Sequence, residues 1–358
     1  MTLFSTKEKK GKYMKPKKKV LSALFGGRVD RPPVVNLTSV FSMEVMEEVG
    51  VTFPDAHLES GKMAQLASSS YTLLGYDSIS PHISIVHEAA ALGFKIDWGG
   101  PDRLPAVQGP RLSKAEDIQV PQDFLKRDSI KVVLDAIKIV KKNFGNEVAI
   151  VGKILGPWHL AMVMFDMEDF VTSMVTNPDK VKKITEIYKD VCVSFANAQV
   201  EAGADVILVG NVGNREFCSP EMYRDFVGDL FDELPIKINA PTILHICGDT
   251  SDRLDFIADS NFDCFHFDTK VETSLAREET KGKMSLAGGI SNVTLMEGRL
   301  EDVEREVTTA MEVGVDLISP ECSIPLQTPL RALKGIAEEV RKQSREGRKE
   351  LDEAGDSG

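Results

Sequence analysis

Ala202-Gly203-Ala204-Asp205-Val206-Ile207-Leu208-Val209 is the stretch whose reading decides the fold. An amphipathic run over 179–202 ends there on a glycine, which adopts the left-handed conformation at a helix C-terminus at little cost. A short β-branched strand follows two residues later. The same punctuation recurs at Val313-Gly314-Val315-Asp316, between a helical run over 300–313 and a strand-like run over 317–319. Outward from these two units, further strand candidates lie at 34–37, 77–80, 148–154, 242–246, 264–267 and 285–287, with another helical run at 221–234. Eight short strands alternating with helices predict an α/β fold, a (β/α)8 TIM barrel. A doubly wound sheet would place a Gly-rich phosphate loop after its first strand, and Val34-Val35-Asn36-Leu37-Thr38-Ser39 offers none.

The remaining segments are read around that barrel. The first 30 residues and the region from about 40 to 75 are expected as N-terminal helical additions around the barrel mouth. Residues 95–125, with Trp98-Gly99-Gly100-Pro101, are expected as an irregular insertion. The expected organisation is a basic tail over 1–19, a single catalytic barrel over 20–345 and a polar tail over 346–358. Thr328-Pro329-Leu330 reads as N-cap and N1 of the final helix.

Composition narrows the function. Hydrophobic residues make up 42% and charged residues 27%, the balance of a soluble globular protein. No apolar run approaches the roughly 20 residues a membrane span needs, so no membrane is expected. The net charge of −12 argues against nucleic acid, although eight lysines crowd residues 1–19. That basic stretch lacks the apolar core of a signal peptide. Five cysteines, at 192, 218, 247, 264 and 322, form no disulfide framework and suit a reducing cytoplasm. Cys192, Cys218, Cys264, His159 and His266 are read as structural.

Two segments carry chemistry. In Leu244-His245-Ile246-Cys247-Gly248-Asp249, His245 and Cys247 share one face of a strand because side chains alternate with period two. Cys322, in Ser319-Pro320-Glu321-Cys322-Ser323-Ile324-Pro325, arrives from another strand end, its backbone restrained by two prolines. Three soft donors with an open fourth position are the pattern of a catalytic zinc site. Sulfur-rich coordination leaves a bound thiolate electron-rich, which suits attack on a methyl carbon better than carbonyl hydrolysis. Asp268, after the sixth strand, reads either as a fourth ligand or as a cap or partner of Lys270. Gly288-Gly289, after the seventh, reads either as a backbone cradle for an anionic group of a cofactor or as a tight turn.

From about residue 17 to 343 the chain resembles the methylcobamide:coenzyme M methyltransferases of the uroporphyrinogen decarboxylase superfamily. The resemblance is carried by Gly27-Arg28-Val29-Asp30-Arg31-Pro32-Pro33-Val34, by Glu88-Ala89-Ala90-Ala91-Leu92-Gly93 with Asp97-Trp98-Gly99, and above all by His245-Ile246-Cys247-Gly248 and Cys322-Ser323-Ile324-Pro325 with Thr328-Pro329-Leu330. It implies zinc-dependent transfer of a methyl group from a methylcobamide, held on a corrinoid protein, to the thiol of coenzyme M. It also implies His245, Cys247 and Cys322 as zinc ligands, with Asp268 at the fourth position, where the family often has Glu. Homocysteine is the rival acceptor, since cobalamin-independent methionine synthases use a comparable arrangement. A true decarboxylase would carry an N-terminal arginine-rich motif that is not present as a whole here. A scaffold barrel with a structural zinc would need a fourth permanent ligand.

Overall fold

The computed structural model describes residues 13–38 and 41–355, with side chains through 347. Among the described residues nine strands form: β1 (Ser78–Ile79), β2 (Lys95–Asp97), β3 (Ala106–Gln108), β4 (Ala149–Leu155), β5 (Val206–Asn211), β6 (Thr242–Ile246), β7 (Cys264–Phe267), β8 (Ser285–Ile290) and β9 (Leu317–Pro320). Seven of them make one parallel sheet in the order β1-β4-β5-β6-β7-β8-β9. Residues 33–37 join its two edges. The Val35 N–H donates to the Ile318 carbonyl at 2.9 Å, the Ile318 N–H to the Pro33 carbonyl at 2.9 Å, and the Asp77 N–H to the Val34 carbonyl at 2.6 Å. The sheet therefore closes as a barrel of eight staves, as expected from the strand–helix alternation.

The first stave is thinner than the sequence suggests, with a single parallel bridge between Val34 and Ile318. Pro32 and Pro33 bring no N–H to the ladder, and the Asn36 N–H is taken by the Ser78 hydroxyl at 2.9 Å. The other strand expectations hold to within one or two residues, except β8, which runs three residues further. Helices Pro178–Ala202 and Leu300–Val313 end on Gly203 (φ 122°) and Gly314 (φ 85°) as anticipated.

An aspartate stands before every second stave, and each makes the same two-point clamp on the stave before it. The Asp77 carboxylate accepts the Val34 N–H at 2.9 Å, Asp205 that of Ile150 at 3.1 Å, Asp263 that of Thr242 at 2.8 Å, and Asp316 that of Leu286 at 2.9 Å. In each case the backbone N–H of the aspartate donates back to the carbonyl of the same partner residue. This is the physical content of the Gly-x-Asp punctuation: it fixes which residues pair at the barrel floor, and hence which face inward higher up. At Asp77 the clamp is reinforced by Arg31, whose guanidinium bonds both carboxylate oxygens at 2.7 and 2.9 Å.

Inside the barrel Val35, Leu37, Ala149, Val151, Val206, Leu208, Ile243, Cys264, Ala287 and Leu317 form one apolar cluster. The helix Pro16–Leu24 contributes Val20, Ala23 and Leu24 to it. That helix plugs the floor of the barrel, opposite to the mouth position expected for it: the Ser285 hydroxyl reaches the Ala23 and Leu24 carbonyls, and the Lys17 N–H reaches Glu147. Apolar residues at its inward positions, which cover the open lumen, decide that placement. It also starts inside the stretch read as a tail, and residues 1–12 lie outside the described residues. Outward-facing Ile150, Ile154, Ile207, Val209, Leu244, Ile246, Phe265 and Phe267 pack against the surrounding helices.

The segment 95–125 is more ordered than expected, with β2 and β3 paired as an antiparallel hairpin and short turns at Ala115–Asp117 and Phe124–Lys126. The final helix, Leu330–Gly355, begins after Pro329, and the Leu330 N–H is held by the Glu44 carboxylate at 2.7 Å. Thr328 is buried without a hydrogen bond to its hydroxyl, so it is not the cap. Among the described residues no helix is long and apolar enough to cross a membrane.

Replacing Asp77 by Ala leaves Arg31 without its carboxylate and the Val34 N–H unpaired. A loss of about 3–5 kcal/mol is expected in urea unfolding, and a loss below about 1 kcal/mol would remove this clamp from the account.

Candidate metal centre

Interior parity continues from Ile243 to His245 at the end of β6 and on to Cys247 in the loop that follows. Cys322 enters from the turn after β9. The His245 Nε2 lies 3.0 Å from the Cys247 Sγ, and that sulfur lies 3.1 Å from the Cys322 Sγ. The three donor atoms all fall within 4.8 Å of one another, a group able to hold a metal ion at the C-terminal rim of the barrel. Of the residues read as structural, Cys192 is buried with its thiol on the Leu155 carbonyl, and Cys264 lies in the barrel interior.

The imidazole is oriented from behind. His245 Nδ1 donates to the His266 carbonyl at 3.2 Å, which leaves the Nε2 lone pair facing the two sulfurs. The His266 ring lies against it, tilted by 34° with centroids 4.6 Å apart, and its Nε2 donates to the Pro320 carbonyl at 2.8 Å. One bond thus links β6 to β7, and the next links β7 to the segment that carries Cys322.

The thiols are unequal. The hydrogen bond from Cys322 holds the Cys247 thiol below its ordinary range, while the same bond and burial push Cys322 well above it. The two thiols thus titrate as a coupled pair, the first proton leaving more easily than the second. Negative charge on Asp268 and Glu321 opposes ionisation of Cys247 further.

Side-chain hydrogen bonds hold the rim loops in place. Gly248 sits at φ 86°, and a Cβ there would come 2.2 Å from the Asn214 Nδ2, whose amide donates to the Cys247 carbonyl. Asp268 stands beside the donor group, with one oxygen accepting the Gly248 N–H at 2.8 Å and the other the Lys270 N–H at 3.0 Å. Asp268 thus ties two rim-loop N–H groups together, where a helix cap or an ion pair with Lys270 was the alternative expected; the Lys270 ammonium lies 3.7 Å from Glu216 instead, and Asp268 is outside the three-residue donor group. Gly288 (φ 131°) and Gly289 (φ 93°) are packed so tightly that a Cβ would meet the Phe267 carbonyl at 2.8 Å or the Ala310 Cβ at 2.9 Å. Beyond them, the Ser291 and Asn292 N–H groups are taken by Glu306 and Glu321 at 2.9 and 2.7 Å. The anions this loop holds are the chain's own carboxylates.

Two residues went unremarked in the sequence. Glu321 is 8% exposed and stitches three rim loops, accepting the Asn292 N–H on one oxygen and the Thr269 N–H (3.0 Å) and hydroxyl on the other. Its signal was a carboxylate beside Cys322 in a proline-flanked turn. Lys153, 5% exposed, points into the top of the lumen from β4, and burial lowers its ammonium to about 8. Its signal was a lone charge in an apolar strand. His159, read as structural, sits near enough to His245 to feel its charge, and burial holds it near 4.

A closed parallel barrel with a soft donor group on its C-terminal rim is the frame of a barrel enzyme. Comparison with known proteins agrees. Residues 15–343 match the family model described as uroporphyrinogen decarboxylase (URO-D), and the chain belongs to that family. Over 89% of its length it is 32% identical to the methylcobamide:CoM methyltransferase MtaA of Methanosarcina barkeri, covering 96% of that protein. It is also 32% identical to the methylated-thiol–coenzyme M methyltransferase of Methanosarcina mazei, with 90% of this chain and 88% of that one covered. A solved methyltransferase structure from Methanosarcina mazei superposes with a TM-score of 0.88 at 31% identity, over 92% of this chain and 99% of the other. Each of these relatives, matched over most of its own length, is named a methyltransferase.

Glu321→Ala releases the Asn292 and Thr269 loops behind Cys322. Metal affinity, measured by competition with a chromophoric chelator, is expected to fall roughly 10- to 100-fold. An unchanged affinity would show that Cys322 is placed without this carboxylate.

Proposed function

We propose that this chain is a zinc-dependent methyltransferase that moves a methyl group from a methylcobamide, carried by a corrinoid protein, to the thiol of coenzyme M in the cytoplasm. The observation that carries the reading is the convergence of the His245 Nε2 with the Cys247 and Cys322 sulfurs, in a chain about one-third identical to enzymes named for that reaction.

The donor chemistry fits zinc. The two sulfurs, 3.1 Å apart with the imidazole beside them, are close enough to share one ion of the kind that Cys and His ligands hold. His245 as a neutral imidazole and Cys247 and Cys322 as thiolates would balance the charge of a zinc ion, and as three protein ligands they would leave it room for a substrate. When bound, zinc would favour the ionised form of an incoming thiol and leave its sulfur nucleophilic at neutral pH.

The chain's own residues do the rest. His266 keeps the His245 tautomer correct for coordination, and Glu321 and Asn214 hold the two cysteine-bearing segments at fixed separation. Asp268 is the proposed fourth donor before the thiol arrives, at the expense of its bond to Gly248 or Lys270. Gly288 and Gly289 let the neighbouring loop pack closely enough for Asn292 to reach Glu321 behind Cys322. The rim faces outward from the barrel, where a macromolecular methyl donor has access.

The test follows cobalamin absorbance during demethylation of free methylcobalamin, with one equivalent of zinc and either coenzyme M or homocysteine as acceptor. Zinc-dependent demethylation with coenzyme M is expected. Activity confined to homocysteine would reassign the acceptor, and silence with both thiols in zinc-loaded protein would contradict the reading. His245→Ala is expected to lose bound zinc and to lower methyl transfer by at least about 100-fold. Its unfolding midpoint should stay close to that of the metal-free wild type, because a rim ligand does not carry the barrel core. A variant with full activity would sink the ligand assignment.

A further inference from the structure

Among the described residues three lysines are buried, and two of them touch carboxylates: Lys19 reaches Asp30 at 3.1 Å, and Lys189 reaches Glu186 and Glu233 at 2.6 and 2.7 Å. Lys153 differs. Its ammonium donates to the Thr38 carbonyl at 3.1 Å, while Glu88 and Cys322 act on it through space without an ion-pair contact. Burying an ammonium with so little compensation costs several kcal/mol of lost hydration. A lysine serving only the barrel would be expected to carry a carboxylate in contact, as the other two do. Lys153 lies instead on the lumen face, two residues beyond Val151, level with the chemistry at the mouth: the field of Cys322 reaches it, and its own reaches His159.

We infer that Lys153 determines substrate specificity by holding the anionic tail of the thiol, a sulfonate in coenzyme M, while the sulfur meets His245, Cys247 and Cys322. The inference rests on the function proposed above. In a thiol with a two-carbon spacer, sulfur and charge are close together, so both must be held by neighbouring groups. Lys153 enters the lumen from β4 and Cys322 stands at its rim, near enough for the charge of one to act on the other. The tail would supply the missing counter-charge to the ammonium.

Lys153 has one competing role, general charge balance for the two thiolates, and the experiment separates the two. Ethanesulfonate carries the tail without a sulfur that can bind metal, so its Kd is measured by calorimetry on the metal-free protein. Wild type is expected to bind it, Lys153→Met to bind about 10- to 100-fold more weakly, and Lys153→Arg to retain most of the affinity. With zinc-loaded protein, the preference in kcat/KM for 2-mercaptoethanesulfonate over 2-mercaptoethanol should fall by a similar factor in Lys153→Met. A parallel arm with 3-mercaptopropionate tells sulfonate from carboxylate preference. Equal weakening toward charged and neutral thiols, as charge balance would give, overturns the inference, as does ethanesulfonate binding that is absent from wild type or unchanged in Lys153→Met. The ethanesulfonate arm needs no turnover, so failure of methyl transfer in wild type would count against the proposed function and not against this site.

Discussion

Everything at the mouth of this barrel depends on hydrogen bonds made at its floor. Four aspartates, each preceding every second stave, clamp the backbone of the neighbouring stave at one defined residue through carboxylate and N–H together. A slip of one residue would turn every side chain on a strand to the other face. On β6 that slip would send His245 into the helical mantle and Leu244 into the lumen. The Asp263 clamp on Thr242 holds the first residue of β6, three residues below His245. The helix Pro16–Leu24 then seals the lumen from below with apolar side chains, so the open end lies at the C-terminal rim.

At that rim the electrostatics are set against a second thiolate beside the first. Burial, the mutual hydrogen bond and the charges of Asp268 and Glu321 together favour keeping a proton between Cys247 and Cys322. A divalent ion held by His245, Cys247 and Cys322 would supply positive charge that favours both thiolates. The same carboxylates do structural work, because each accepts backbone N–H groups from rim loops. Their geometry and their charge are therefore inseparable, and a change at either position alters both the placement of the sulfurs and their acidity.

Much of this was legible in the chain. The Gly-x-Asp marks at 203–205 and 314–316 and the period-two pairing of His245 with Cys247 are local patterns, and local patterns survive folding. The convergence of Cys322, 75 residues after Cys247, followed from both lying at strand ends, which a barrel gathers on one rim. What stayed hidden depends on three-dimensional surroundings. The floor position of residues 16–24 is decided by an open lumen that no sequence window contains. The thin first stave reflects a side-chain hydroxyl, Ser78, outcompeting a strand partner for the Asn36 N–H. Glu321 and Lys153 are ordinary residues by type, and only burial reveals that each is unusual. The two glycines at 288 and 289 show the reverse: a phosphate-loop pattern whose backbone freedom is spent on close packing and whose neighbouring N–H groups are already satisfied.

The account turns on a metal held by three protein donors with one position open to a thiol. Zinc K-edge X-ray absorption of the metal-loaded protein, recorded before and after addition of coenzyme M, tests this most directly. The predicted result is a shell of two sulfurs and one imidazole nitrogen with a lighter fourth donor, which gains a third sulfur when the thiol is added. A shell of four permanent protein ligands, unchanged by the thiol, would contradict it.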